Sequence, residues 1–126
     1  MVRINHIALE CDTREHAKMV FEDVFQCSLL RSFEVPSEFA EKVFSIKKEV
    51  TALVYQAENS VFEIFITGVK IISKDFSHVC IEVSDMDEFF SRCDTIGLKP
   101  YIVTKNQKQY VFVRDIVGNL FEVKEG

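Results

Sequence analysis

Three observations predict that this 126-residue chain is an α+β fold of two βαβββ modules in tandem. Short runs alternate apolar and polar residues at the period of half-buried strands. Each half also holds one stretch of helical apolar spacing, opened by a capping signature. Finally, the element order recurs, with a His in the first strand of each half and a Glu in the last. Such an internal repeat outranks any single motif in choosing a fold. Module one covers about 1–67 and module two about 76–126, together expected to form a single domain over 1–126.

Residues 3–10 alternate, with Ile7 and Leu9 on one face and His6, Ala8 and Glu10 on the other. Asp12-Thr13-Arg14-Glu15 reads as an N-cap with an acidic residue three positions on, and Ala17, Val20, Phe21, Val24 and Phe25 follow as a helical stripe. Residues 29–35 read as a second strand ended by Pro36-Ser37, whereas 37–49 is more polar and leaves its state open. Residues 51–57 and 61–67 form an expected hairpin around Glu58-Asn59-Ser60.

A link of about ten residues, Gly68 to Asp75, precedes the second round. There 76–83 is a strand with Val79, Ile81 and Val83 opposite His78, Cys80 and Glu82. Ser84-Asp85-Met86-Asp87 is the capping signature, and Met86, Phe89, Phe90 and Cys93 are the stripe. Gly97 fits a helix stop, and 98–104, 109–114 and 119–124 read as three more strands. Each module thus has a sheet with one face covered by a helix and the other bare. Period-2 arithmetic puts His6, Glu63, His78 and Glu122 on the bare faces.

Length and charge bound the function. One domain of this size buries on the order of two thirds of its unfolded surface. A formal net charge of −5 argues against a nucleic-acid or anionic-membrane partner, since both need a basic surface. Lys47-Lys48, Lys99, Lys105 and Lys108 read as solvated faces. No apolar stretch approaches the roughly 18–20 residues that span a bilayer, and Met1 to His6 lacks the apolar core of a secretion signal. Four cysteines without CxxC spacing suit reduced thiols in a cytoplasmic protein.

Two imidazoles and two carboxylates make a plausible complete ligand set for Ni, Zn, Co, Mn or Fe. A Glu within an apolar strand, as Glu63 is between Phe62 and Ile64 and Glu122 between Phe121 and Val123, is costly unless it is paired. Four such ligands close a tetrahedral ion or leave two neighbouring positions on an octahedral one. The open positions suit Lewis-acid chemistry on a small oxygen-bearing substrate, with a ligand Glu moving a proton beside a carbonyl.

The segments INHIALE, VFEIFI, SHVCIEV and VFVRDIVGNLFEV carry a resemblance that covers essentially the whole chain. It is to the vicinal oxygen chelate superfamily: glyoxalase I, methylmalonyl-CoA epimerase, extradiol dioxygenases, and fosfomycin and bleomycin resistance proteins. The resemblance implies a curved mixed sheet around a metal cup, a homodimer, and His6, Glu63, His78 and Glu122 as metal ligands. The His, Glu, His, Glu order looks most like glyoxalase I, and by that likeness Glu63 or Glu122 doubles as catalytic base. The implied function is a metal-dependent lyase or isomerase that takes a small carbonyl substrate through a metal-stabilised enediolate. A non-catalytic binding protein of the bleomycin-resistance kind is the alternative, and a dioxygenase is a third.

Some residues depart from the family patterns. Glutathione-type glyoxalase I carries an Arg four residues after its first ligand His, where this chain has Glu10, which would repel a glutathione carboxylate. The epimerases usually have a longer inter-module segment and a Gln where this chain has Glu63. The family's turn pattern appears altered as Asp115-Ile116-Val117-Gly118. Glu10 and Glu82 each stand four residues after a His, roughly 13 Å along a strand. At the rim or far wall of the cup they either select a neutral or cationic substrate and hydrogen-bond its hydroxyls, or simply reach water. Phe65 supplies an apolar wall, Cys80 packs as a small residue on the cup face, and His16 is a surface residue.

Overall fold

In a computed structural model, residues 1–70 and 75–126 are described, and the chain divides into two units, Met1–Val69 and Lys70–Gly126. Positions 71–74 of the expected inter-module link lie outside the described residues.

In unit 1, β1 (Ile7–Cys11) leads into α1 (Arg14–Ala17), which continues as a π-helical stretch over Lys18–Val24. β2 (Ser28–Val35), a short helix α2 (Ser37–Phe44), β3 (Val50–Gln56) and β4 (Val61–Ile66) follow. Unit 2 runs β5 (Val79–Val83), α3 (Met86–Thr95), β6 (Tyr101–Lys105), β7 (Lys108–Arg114) and β8 (Leu120–Glu125). The two sheets share one topology. Unit 1 orders its strands β1-β4-β3-β2 and unit 2 orders them β5-β8-β7-β6. In each, the first strand pairs parallel with the last and the other neighbours are antiparallel. The repeated mixed βαβββ sheet is as the residue patterning predicts.

Both helix starts lie one residue beyond the expected cap. Thr13, extended at φ −133°, accepts the amide of His16, so Thr13 and not Asp12 is the N-cap. Asp85, not Ser84, accepts the amide of Glu88 at 3.1 Å. The displaced Asp12 carboxylate accepts the Thr13 amide at 2.8 Å and meets His16 Nδ1 at 2.8 Å. Burial pushes Asp12 upward, but the His16 and Thr13 contacts outweigh it and leave its pKa lowered. His16 is therefore half-buried and partnered, rather than simply a surface residue.

The α1 stripe packs as its spacing implies. Ala17, Val20, Phe21 and Val24 are buried. Phe21 lies 5.6 Å from the Tyr55 ring and 5.5 Å from Phe62, which assigns that side of the sheet to the helix. Tyr55 donates its hydroxyl to Glu22 at 2.9 Å, so its buried oxygen is satisfied. In unit 2 the core draws on Phe89 and Cys93 of α3 with Val113, Phe121 and Val123 of the sheet. Gly97 closes α3 at φ +80°, with Leu98 donating to Cys93 and Gly97 to Asp94, the two bonds of a Schellman stop.

The polar stretch left open by the sequence contains α2. Phe39, Ala40, Val43 and Phe44 recur at helical spacing, and Ser45 ends the helix at φ +61°. Ala40 packs with Val35 and Ala52, joined by Phe33, Val50 and Phe65. Unit 1 is thus not bare on its second face, because α2 covers part of it. Glu38, Glu41 and Lys42 on the outer side mask that amphipathicity in the sequence.

The turn before β8 is organised by Asp115. One of its oxygens accepts the amides of Val117, Gly118 and Asn119, and the other accepts the Asn119 side chain. Asp115→Ala leaves those donors without their acceptor. We expect a loss of about 2 kcal/mol in urea unfolding, whereas an unchanged midpoint would show that water replaces the carboxylate without cost. Among the described residues no helix is long and apolar enough to cross a membrane.

Candidate metal centre

Strand register assigns the functional side chains to faces. In unit 1, Ala8, Glu63, Val54 and Arg31 form one row across the four strands, and Glu10, Phe65, Ala52 and Phe33 form the next. In unit 2 the corresponding row is Cys80, Glu122, Phe112 and Tyr101, and beyond it Glu82 pairs with Lys124 and Tyr110 with Val103. Directly paired residues share a face, so these rows lie opposite the side taken by Tyr55 and Phe62 or by Phe121 and Val123. His6 and His78 each stand two residues before the first member of their row and one residue before their strand.

Each unit brings one His to one Glu. His6 Nδ1 lies 3.2 Å from Glu63 Oε2, with the side chains 38% and 15% exposed. His78 Nε2 lies 3.6 Å from Glu122 Oε1, with exposures of 39% and 16%. The exposures of the two pairs match, while the ring nitrogen presented differs. Among the described residues, no group of three or more His, Cys, Asp or Glu side chains stands ready for a metal ion. What the structure brings together is one pair per unit.

The donor chemistry fits a divalent cation. At bonds of about 2.1 Å, two ligands of one ion sit about 3.0 Å apart at a right angle and about 3.4 Å apart at the tetrahedral angle. Both observed separations lie close to these values. His78 Nδ1 meets the Phe76 carbonyl at 2.8 Å, a contact that requires the hydrogen on Nδ1 and turns Nε2 towards Glu122. His6 is presented by its other edge, since Nδ1 lies between Asn5 Oδ1 at 3.0 Å and Glu63 Oε2.

The remaining predicted residues are distributed as follows. Glu10 and Glu82 are exposed, each in the row beyond its Glu partner. Phe65 is in contact with α2, its ring 5.7 Å from Phe44, so its wall is built by packing. Cys80 is exposed directly beside Glu122, and partial desolvation followed by the Glu122 charge raises its pKa. Burial pushes Cys27 and Cys93 up to about 11, which keeps both as thiols at neutral pH. Lys124, with Nζ 3.8 Å from Glu122 Oε2, was not anticipated. Its position two residues after Glu122, on the same face by period 2, is the signal that would have found it.

No family model and no curated protein matches the sequence. Solved structures do match. A glyoxalase family protein from Bacillus cereus is 20% identical with a TM-score of 0.76, over 99% of this chain and 94% of that one. FosX, a fosfomycin resistance protein from Mesorhizobium loti, is 14% identical with a TM-score of 0.72, over 100% and 93%. A FosX variant from Listeria monocytogenes, complexed with Mn(II) and 1S,2S-dihydroxypropylphosphonic acid, is 15% identical with a TM-score of 0.75, over 100% and 94%. At these identities the likeness is one of fold, and it agrees with the sheet topology repeated in the two units. The chain has the tandem βαβββ fold of these glyoxalase family and FosX proteins.

Proposed function

We propose that residues 1–126 act as one divalent-metal-dependent enzyme domain, a lyase or isomerase for a small carbonyl substrate. Its proposed metal ligands are His6, Glu63, His78 and Glu122. The observation that carries this reading is the repetition of the His–Glu pair at equivalent register, with near-equal exposure and donor spacing. The Mn(II) bound by a FosX structure of the same fold supports a divalent ion. Such an ion supplies Lewis-acid stabilisation of negative charge developing on a substrate oxygen. Glu63 or Glu122 takes the proton from the carbon beside the carbonyl and returns it, the task of a carboxylate placed next to the reacting atoms. The Phe76 carbonyl holds the His78 ring. Phe112, opposite Glu122, supplies an apolar surface beside it.

The test is metal analysis of protein purified without added metal, followed by titration with Ni, Co, Zn and Mn. Stoichiometric uptake is expected. Less than about a tenth of an equivalent bound, with none taken up on titration, would overturn the reading and leave a metal-free binding module. Glu63→Gln then separates the activities. Loss of turnover with weakened metal binding marks a glyoxalase-like centre, whereas retained turnover marks an epimerase-like one.

A further inference from the structure

β2 contains a register shift between Leu29 and Arg31. Leu29 pairs with Tyr55 on the helix side of the sheet, and an unbroken antiparallel register would set Arg31 against Leu53 on that same side. The extra residue sets it against Val54 instead, in the row that holds Glu63. A one-residue slip sends every later side chain to the opposite face, and bulges commonly re-aim a side chain beside a functional site. β6, the corresponding strand of unit 2, pairs without a shift and presents Tyr101 stacked on Phe112 at 5.9 Å. Among the described residues the bulge occurs in unit 1 and not in unit 2, and what it delivers to the Glu63 face is a cation.

We propose that Arg31 binds an anionic oxygen group of the substrate, a carboxylate or phosphate, while the carbonyl end lies at His6 and Glu63. The inference rests on the metal-centred reading above and names the substrate class. The guanidinium is exposed, has its carbon 5.5 Å from the Phe33 ring centroid, and has no carboxylate partner among the described residues. Stacking on a ring limits the freedom of the long side chain, so less is lost when its planar fork takes a carboxylate or phosphate in two bonds. Two strand spacings separate Arg31 from Glu63, about 10 Å across the sheet. The substrate class is then a carbonyl compound with an anionic tail about 10 Å away. Glu10 stands in the next row on the opposite edge strand, β1, and so does not oppose an anion bound at Arg31. An Arg on an edge strand also discourages sheet-to-sheet pairing. That role alone would leave ligand preference untouched.

Titration calorimetry on the Co(II)-loaded protein tests the proposal with three hydroxamates. Acetohydroxamate reports the metal alone. Suberic monohydroxamate carries a carboxylate about 9 Å away when extended, and its methyl ester lacks the charge. The acid is expected to bind at least about tenfold tighter than the ester, the scale of a charge-assisted contact. In Arg31→Met that ratio should fall to about one with acetohydroxamate binding unchanged, and Arg31→Lys should keep part of it. Equal binding of acid and ester by the unaltered protein, or a ratio that survives Arg31→Met, overturns the role of Arg31 while the metal reading stands. Absence of acetohydroxamate binding overturns the metal reading and this inference with it.

Discussion

His78→Ala is expected to lower the affinity for a divalent metal by at least about a thousandfold. Loss of a partner one shell outside a metal typically costs about 10–100-fold, and in the proposed centre His78 is a direct ligand through Nε2, the atom turned to Glu122. Competition with a chromophoric chelator measures the change. His6→Ala should lose a similar factor, because its pairing with Glu63 repeats that of His78 with Glu122. Cys80→Ala, altered directly beside Glu122, should leave metal binding within a few-fold of its starting value. Retention of full affinity in His78→Ala would show that the pair is a hydrogen-bonded structural feature. The same loss in Cys80→Ala would make the thiol a ligand and would change the donor set from nitrogen and oxygen to one including sulfur.

Phe21→Ala should give the largest stability loss of any single truncation in unit 1, about 4 kcal/mol. Its ring is fully buried and lies 5.4 to 5.6 Å from Phe25, Tyr55 and Phe62, so three aromatic neighbours lose a partner at once. Aromatic pairs contribute beyond the area they bury. The cavity would also lie beneath the strand that carries Glu63, since Phe62 precedes it. Urea unfolding followed by far-UV circular dichroism measures the cost. A loss below about 1 kcal/mol would mean that the π-helical stretch collapses onto the gap with little strain.

The faces of the sheets were legible because a regular strand alternates its side chains. Once Ile7 and Leu9, or Val79 and Ile81, are assigned to the helix side, each His must point the other way. The repeat made the same reading available twice. Two features were not legible, for different reasons. α2 hides behind Glu38, Glu41 and Lys42, and its apolar side becomes informative only when Ala52 and Phe65 are seen beneath it. The β2 bulge falls within Ser28-Leu29-Leu30-Arg31, where an apolar pair carries no parity signal. A strand read straight through that point sends Arg31 to the wrong side. The helix caps were displaced for a local reason, because Thr13 and Asp85 themselves take the extended backbone from which a side chain can cap.

The covering of unit 1 by α2 leaves the two repeats chemically unlike on the faces that carry Glu63 and Glu122. In unit 1, Ala40 and Phe44 close over the row of Phe65, while the matching position in unit 2 is Lys124. One insertion of two helical turns between strands thus separates an oily surface from a charged one on otherwise duplicated sheets.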